Sequence, residues 1–493
     1  MKTAVVGGGI GGLVSALYLS NEGHHVTVFE KEADVGGRLA FIERDGFRID
    51  KGPTIVLLPD MIRSILREAG MNPDVIEMQR LDPLYPLHFP DGTTFTKWSD
   101  TEKQLEEIRS VFPGEESSFL SYMEDMNERF EKGKQAFMDR DFRRPGSFFT
   151  KSNVRTLVKL KAYQSVKNQA KQYFSAPHLR EAFSFQTLYI GGSPHDTPAI
   201  YSLVPFSEHC HGIWYVKGGY ARLAQEIVKE LLTRGGTIRT ESEVTRIETE
   251  GGKGTGLTVN GTYEAFDTFV INGDYPVARR LTGGKGRRQS RSFTPSSGCL
   301  LLYLGINGKV DTPYVHQFFM GEDLDGHMSD VFVNKRLHVD PSFYVFSPSL
   351  IDNSAAPEGK SALYVLVPVP AGDTVTEEEY AEYAEMILDR MEERLDGKLR
   401  QKILWKDIRT PHEASQEGLF QGGSFGIAPS LFQSGVFRPQ LQPFGLDNVY
   451  AVGASIHPGG GVPIVMQGAK LLAEAIREKE GRREPEPAEA FIR

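Results

Sequence analysis

Three glycines near the start of the chain, Gly7, Gly9 and Gly12, follow the pattern G-x-G-x-x-G. A short apolar stretch typical of a strand precedes them, and residues at helical spacing follow them. In such a turn the first glycine permits the bend, the second lets a pyrophosphate approach the backbone, and the third lets helix and strand pack closely. The free N–H groups at the helix N-terminus then face the phosphates. The spacing therefore predicts an ADP-containing cofactor at this turn.

An acidic residue, Glu30, ends the second predicted strand, where a carboxylate can bind the hydroxyls of the adenosine ribose. Two glycines and an arginine, residues 36–38, follow soon after it. The glycines allow backbone close to the cofactor, and the guanidinium offers charge to the diphosphate, which favours FAD over NAD. We therefore assign Lys31, Gly37 and Arg38 to the FAD site together with Glu30.

A second glycine-rich turn lies near the C-terminus, over residues 453–463, and precedes a helix predicted over residues 464–476. The N-terminus of a helix placed beside a flavin would stabilise the negative charge of the reduced ring. The alternative is a loop that merely precedes a packing helix. We assign four residues of this turn to the FAD site, and with them one residue at the start of an internal predicted strand: Gly453, Gly461, Val462, Pro463 and Val244.

The composition of the chain narrows its class. A length of 493 residues predicts two or three domains, and 40% hydrophobic with 25% charged residues is ordinary for a globular protein. Two cysteines cannot form a disulfide framework, which favours the cytoplasm, and the early cofactor strand leaves no room for a secretory signal. The net charge of −9 argues against general nucleic-acid binding. No uninterrupted apolar run approaches the length of a membrane span.

The order of predicted elements indicates an α/β protein, α+β overall, with a Rossmann-like FAD-binding domain, a mixed-sheet substrate domain and a helical membrane-associating subdomain. We predict the FAD-binding domain in three parts and the other segments between and after them. The predicted boundaries are 1–85, 206–285 and 436–480 for the FAD-binding domain, 86–205 for the substrate and helical membrane-associating segment, 286–435 for the β-rich substrate domain, and 481–493 for a disordered tail.

One stretch, residues 142–180, carries nine basic residues and no acidic residue. Basic side chains on an amphipathic helix suit an anionic membrane surface. We expect them to face lipid headgroups, with Tyr163, Val166 and Tyr173 reaching the interface. The alternative is a solvated helix whose apolar stripe packs on the core.

Two sets of histidines invite a chemical role. His209 and His211 flank Cys210 and would share one face of a strand, but no third or fourth ligand stands near them, so we predict no metal site. His457 lies in the C-terminal glycine-rich turn. It either touches flavin or substrate, or is packed and hydrogen-bonded to shape the loop.

The chain as a whole resembles the bacterial carotenoid desaturases, the phytoene and 4,4'-diapophytoene desaturase family. The resemblance is closest to the diapophytoene enzymes, which act on C30 chains. It rests on residues 50–54, 183–192, 212–219, 437–439 and 453–463, together with the two glycine-rich turns. It implies a FAD-dependent oxidoreductase that introduces double bonds into a long-chain polyene by hydride transfer to flavin. It further implies an apolar tunnel, a site on the cytoplasmic face of the membrane, and few polar side chains near the reacting carbons. We name no catalytic base.

Two departures from the family pattern leave the reaction open. Ile456 stands where the family usually has threonine, and the pattern Thr-Pro-x-x-Phe ends in Ala414. A sister group of terminal-methyl oxygenases shares the first departure, so a carotenoid oxygenase or isomerase on the same scaffold is the alternative. A non-catalytic prenyl-binding carrier is a third possibility. The intact glycines, Glu30 and Arg38 argue against it.

Overall fold

The structure is a computed structural model that describes residues 1–133, 138–142, 145–160, 163–283 and 291–481. Its strands are β1 (Lys2–Val6), β2 (His25–Phe29), β3 (Phe41–Arg44), β4 (Phe47–Asp50), β5 (Met78–Leu81), β6 (Tyr85–His88), β7 (Thr94–Lys97), β8 (Ile213–Val216), β9 (Thr237–Arg239), β10 (Val244–Glu250), β11 (Lys253–Val259), β12 (Thr262–Ala265), β13 (Thr268–Asn272), β14 (Gly298–Asn307), β15 (His316–Phe319), β16 (Phe343–Phe346), β17 (Lys360–Val369), β18 (Ile403–Arg409) and β19 (Val449–Val452).

The helices are α1 (Ile10–Asn21), α2 (Pro59–Glu68), α3 (Thr101–Val111), α4 (Glu116–Gly133), α5 (Pro145–Phe148), α6 (Lys151–Lys159), α7 (Val166–Tyr173), α8 (Pro177–Ala182), α9 (Leu203–His211), α10 (Arg222–Thr233), α11 (Tyr275–Ala278), α12 (Leu324–Ser329), α13 (Glu377–Arg394), α14 (Leu399–Lys402), α15 (Pro411–Gln416) and α16 (Val462–Glu480). Across the described ranges, no helix combines the length and apolar character that crossing a bilayer requires.

The nucleotide-type core is a five-stranded parallel sheet in the order β19-β13-β1-β2-β9. Its central strand β1 is a short apolar run whose inner residues are fully buried, as expected for a strand covered on both faces. Helix α1 is buried along most of its length and packs against α10 and α16. The sheet therefore joins the two ends of the chain, and the two predicted glycine-rich turns leave it at β1 and β19, the strands on either side of β13.

The second large unit is a mixed seven-stranded sheet in the order β18-β14-β17-β16-β15-β6-β7. Strands β14 and β17 pair antiparallel over their full length, from Gly298 opposite Val369 to Asn307 opposite Lys360. One face of the sheet packs on α13, and the other contributes to an aromatic core with the helices of residues 101–211. This second face forms one wall of the site described below.

The fold class predicted from sequence, a Rossmann-like domain with a mixed-sheet domain, is confirmed. Strands β6 and β7 lie within the segment predicted as 86–205 or at its edge, yet they pair into the same sheet as strands from 286–435. The C-terminal helix is longer than predicted, since α16 begins at Val462 and ends at Glu480. His209 and His211 lie on helix α9, so they do not share the face that a strand would have given them. Most of the predicted tail lies outside the described residues.

Candidate active site

The N-terminal glycine turn is as tight as its spacing predicts. Gly7 has a φ of +99°, and a Cβ added to it would lie 2.4 Å from the Asn272 carbonyl oxygen. A Cβ on Gly12 would lie 2.2 Å from the Gly7 carbonyl oxygen, so this glycine does allow helix and strand to pack closely. Gly9 caps α1, and no side chain hydrogen-bonds to this end of the helix. The first N–H groups of α1 are therefore oriented to receive a phosphate.

Glu30 lies against this turn. Its side chain is buried, and Oε2 accepts a 2.8 Å hydrogen bond from the Gly8 N–H while Oε1 accepts one of 3.1 Å from the Glu32 N–H. Each carboxylate oxygen has a second lone pair, so both can still accept a hydroxyl proton. The backbone thus fixes the carboxylate where a ribose bound at the turn would meet it. Lys31 is exposed, and its Nζ donates to the Gln416 carbonyl oxygen at 3.2 Å.

The segment with Gly37 and Arg38 folds back onto the glycine turn. Gly36 forms a bridge with Gly9, and its N–H donates to the Gly8 carbonyl oxygen at 2.8 Å. Gly37 has a φ of +58°, a left-handed conformation that favours glycine. The Arg38 guanidinium donates to the Ser424 carbonyl oxygen, and burial lowers its pKa from the ordinary value. A partly desolvated cation beside the turn suits an anionic diphosphate.

Asn272, which the sequence reasoning did not single out, links the two glycine-rich turns. Its side-chain Nδ2 donates to the Gly7 carbonyl oxygen at 3.2 Å, and a Cβ on Gly453 would lie 3.4 Å from its Oδ1. Asn272 is the last residue of β13, and ligands of open α/β sheets bind at the carboxyl ends of the strands. A polar residue at the end of a predicted apolar strand was therefore the signal that could have found it.

The remaining predicted cofactor residues divide between two places. Gly461 caps α16 with a φ of +99° and no side-chain cap, and Val462 and Pro463 form the first turn of that helix. Val244 opens β10 and is buried. It lies close in sequence to Ser242, whose N–H donates to the Glu30 carbonyl oxygen at 2.8 Å. The geometry thus places Val244 on the ribose side of the site and the α16 turn at its other end; their roles as ligands stay predictions.

A cavity of about 500 Å³ begins at the α16 turn. Its wall includes the loop of residues 52–58, the sheet strands β15–β17, and helical residues such as Phe185 and Leu188. Towards the surface it is bounded by Phe148, Phe149, Leu431 and Phe437. Among the described lining residues there is no aspartate, glutamate or lysine, and Arg438 is the one arginine. A cavity of this kind accepts a long apolar molecule and excludes charged ones.

The cavity wall nevertheless carries hydroxyl groups in a connected array. The Tyr344 hydroxyl lies 2.7 Å from the Thr54 Oγ1 and 2.6 Å from the His316 Nδ1. Burial lowers the pKa of His316 to about 3 and raises the pKa of Tyr344. Behind the aromatic wall, Lys97 and Glu208 form a buried ion pair of 3.2 Å.

Neither histidine set adds a metal site. The His209 Nδ1 lies 2.8 Å from the Trp98 carbonyl oxygen, and burial lowers its pKa to about 4, while Cys210 is exposed. Within the part of the chain that the structure describes, no cluster of three potential ligands is present. His457 lines the cavity, yet its Nε2 lies 2.9 Å from the Arg140 carbonyl oxygen and its ring packs on Phe142. The packing role foreseen for this histidine is thus visible in its contacts.

Comparison with known proteins supplies the family. A model described as flavin containing amine oxidoreductase matches residues 10–477. The chain belongs to this family. Solved structures share this fold: cyclohexylamine oxidase from Brevibacterium oxydans IH-35A has a TM-score of 0.62 at 15% identity and covers 98% of this chain and 99% of its own. An oxidoreductase from Methanosarcina mazei has a TM-score of 0.61 at 16% identity and covers 96% and 100%.

Curated relatives place this flavin-dependent oxidoreductase among the bacterial carotenoid desaturases, as the sequence motifs predicted. A protein of Metabacillus indicus described as 4,4'-diapolycopen-4-al dehydrogenase is 52% identical over 98% of this chain and 99% of its own. A 4,4'-diapophytoene desaturase of Staphylococcus haemolyticus is 33% identical over 97% and 99%. The one from Staphylococcus aureus strain Newman is 32% identical over 97% and 98%. FAD as the cofactor is confirmed, and the glycine turn, Glu30 and Arg38 form a cradle that fits it.

Proposed function

We propose that this enzyme dehydrogenates a C30 carotenoid chain, with 4,4'-diapophytoene as the expected substrate and phytoene as the longer alternative. The observation that carries the proposal is the cavity, which runs from the α16 turn to the surface without a lysine or carboxylate among its described lining residues. The transfer of a hydrocarbon from water to such an apolar wall lowers the free energy. Relatives described as diapophytoene desaturases at 33% and 32% identity support the same substrate class.

The protein's part in this reaction is placement. Bound FAD supplies the hydride acceptor. The cavity holds the polyene at its flavin end and excludes water. Correct placement of the reacting atoms alone removes a large part of the activation barrier to hydride transfer. The uncapped start of α16 at Gly461 offers partial positive charge there.

A second candidate is oxidation of a terminal aldehyde, and the 52% identical relative favours it. The aldehyde first adds water, and the hydrate then loses a hydride from carbon and a proton from oxygen to give the acid. Polar groups on the cavity wall, such as the hydroxyls of Thr54 and Tyr189, suit an oxygenated chain end better than a pure hydrocarbon. This reaction is a terminal oxidation, the alternative to desaturation that the departures from the family pattern at Ile456 and Ala414 leave open.

One experiment separates the two candidates. The purified holoenzyme in liposomes is given 4,4'-diapophytoene, phytoene or 4,4'-diapolycopen-4-al with an artificial electron acceptor, and products are analysed by chromatography and mass spectrometry. Desaturation removes pairs of hydrogens from the C30 chain, whereas aldehyde oxidation adds one oxygen. Conversion of the aldehyde alone would replace the first candidate with the second. No conversion of any of the three would refute both.

We also propose that the protein associates peripherally with the cytoplasmic face of the membrane, and that it does so at the cavity mouth. Phe149 and Leu431 line the cavity and are exposed at the surface, and Phe432 beside them is 68% exposed. Helix α6 adds exposed Lys151 and Arg155, which lie one turn apart on one face. Apolar side chains at an opening, with cations beside them, suit the uptake of a hydrocarbon from an anionic bilayer.

This mouth differs from the surface expected from sequence. Val166 is 1% exposed and packs in the interior, so it does not reach the interface as expected. Tyr173 is half-buried and donates to the Asp125 carboxylate, and Lys167 forms an ion pair with Asp325. Tyr163, at 65% exposed, fits the expectation. Helix α7 packs on the core because its apolar face has partners there. Arg143, Arg144 and Lys161 lie outside the described residues.

A further inference from the structure

A line of three hydrogen-bonding side chains leads from the cavity into the interior. Thr54 and Tyr344 both line the cavity, and their hydroxyl oxygens lie 2.7 Å apart. The Tyr344 hydroxyl also lies 2.6 Å from Nδ1 of His316, a residue with no exposed surface. The three groups come from different elements, a loop and the neighbouring strands β16 and β15. Only the folded chain brings them together.

This line begins on the cofactor side of the cavity. Thr54 lies on the same loop as Gly52, and a Cβ added to Gly52 would lie 2.5 Å from the Arg38 carbonyl oxygen. The loop is thus packed against the backbone of the segment assigned to the FAD diphosphate. Thr54 and the α16 turn line one cavity. The threonine hydroxyl is therefore a polar group of the cavity wall on the loop that packs against the segment assigned to FAD.

A phenol hydroxyl has one proton, so Tyr344 donates to one neighbour and accepts from the other. When it donates to the His316 Nδ1, it accepts from Thr54, and a lone pair of the Thr54 oxygen remains for a substrate in the cavity. His316 has no partner for its Nε2 among the described residues, and its ring stacks on Phe346 with centroids 5.0 Å apart. Among the described residues only Tyr344 forms a hydrogen bond with the imidazole, and it does so at Nδ1, which can therefore accept the proton.

We propose that Thr54, Tyr344 and His316 form a proton relay that takes up the proton released by the substrate, an inference that rests on the proposed function. As the hydride leaves the chain, the neighbouring C–H bond breaks and its electron pair forms the new double bond. The proton goes to the Thr54 oxygen, the Thr54 proton goes to Tyr344, and the Tyr344 proton goes to the His316 Nδ1. In aldehyde oxidation the hydrate O–H supplies the proton by the same route.

The weak basicity of the relay is suited to this step. Burial lowers the pKa of His316 to about 3, so the imidazole is neutral and ready to accept at neutral pH. A C–H bond next to a carbocation is a far stronger acid than an imidazolium ion. A stronger base is therefore unnecessary, and a buried carboxylate at the same place would carry a charge that an apolar cavity disfavours.

The first test is Tyr344→Phe, with Tyr220→Phe as the matched control. Tyr220 also lines the cavity and is buried, but its hydroxyl has no partner among the described residues. We expect Tyr344→Phe to slow flavin reduction by substrate about a hundredfold, the lower range for general acid–base catalysis. FAD content and substrate affinity stay at the wild-type level in both variants. Equal rates for Tyr344→Phe and wild type would overturn the relay.

Two further measurements distinguish proton transfer through Thr54 and Tyr344 from a purely structural role of these residues in the cavity wall. With substrate deuterated at the proton-losing carbon, the isotope effect grows in Tyr344→Phe and Thr54→Val, because proton loss becomes slow; an unchanged effect contradicts the relay. In protein labelled with nitrogen-15 histidine, the His316 Nδ1 resonance shifts in Tyr344→Phe even without substrate. Absence of that shift would show that the hydrogen bond does not exist. If wild-type enzyme converts no carotenoid, the proposed function fails first and the relay with it.

Discussion

Removing two aromatic rings from the cavity mouth, in the double variant Phe149→Ser/Phe432→Ser, tests where the protein meets the membrane. Phe149 is 56% and Phe432 is 68% exposed. A phenylalanine side chain presents roughly 200 Å², so the two rings leave about 250 Å² in water. At about 25 cal/mol per Å², full transfer into lipid is worth about 6 kcal/mol, and half insertion about 3 kcal/mol. The variant should therefore bind liposomes about a hundredfold more weakly.

The assay is co-sedimentation with phosphatidylglycerol liposomes, and the control is Val333→Ser/Val339→Ser. These valines are 71% and 79% exposed but do not line the cavity. FAD content reports that each variant remains folded. The aromatic contribution should persist at high salt, whereas a Lys151→Gln/Arg155→Gln variant should lose about 1 kcal/mol per charge at low salt only. Unchanged binding of the aromatic variant, or an equal loss in the valine control, would refute docking at the mouth.

Three further predictions concern the interior. Glu30→Ala should weaken FAD binding by about 1–3 kcal/mol, because the ribose hydroxyls would lose the carboxylate that the Gly8 and Glu32 N–H groups hold in place; wild-type affinity in a fluorescence titration of apoprotein would exclude the ribose role. Gly9→Val should abolish FAD binding and pigment formation, since its side chain would occupy the pyrophosphate position; a folded variant with full flavin would disprove this. Glu208→Ala should cost about 3–5 kcal/mol in urea unfolding, because Lys97 is left buried and unpaired, and Lys97→Met/Glu208→Met should recover most of it; a loss below about 1 kcal/mol would contradict that reasoning.

The cofactor half of the molecule was predictable because its signals are local. Gly7, Gly9 and Gly12 lie close together in sequence, and a Cβ added to Gly7 or Gly12 would collide with a backbone carbonyl oxygen. Glu30 directly follows β2 and accepts from the N–H groups of Glu32 and of Gly8 in the glycine turn. Few long-range contacts are needed to place these atoms, so spacing was sufficient information. Asn272 escaped notice because its role depends on a contact with a turn far away in the chain.

The surface of the helical region was harder to predict, because amphipathic spacing does not say which partner covers the apolar side. The spacing of Tyr163, Val166, Ala170 and Tyr173 is helical, and α7 contains the last three of these residues but not Tyr163. That stripe faces the protein, since Val166 and Ala170 are buried there. At the cavity mouth the exposed apolar residues Phe149 and Phe432 lie outside the α-helices, where no periodicity marks them. Burial is a property of the assembled fold.

The same distinction applies to specificity within this family. The residues assigned to FAD offer mainly backbone groups and glycines, whose positions a sequence pattern can reveal. The polyene meets side chains from the loop of residues 52–58, from β15–β17 and from the helices, and any of them can change while the cofactor site stays intact. The relatives that the chain matches are described with two different reactions, a diapolycopenal dehydrogenase and a diapophytoene desaturase. The difference between desaturation and terminal oxidation is expected in the few hydroxyl-bearing wall positions, such as Thr54, Tyr189 and Tyr344, where a polar atom faces an otherwise apolar chain.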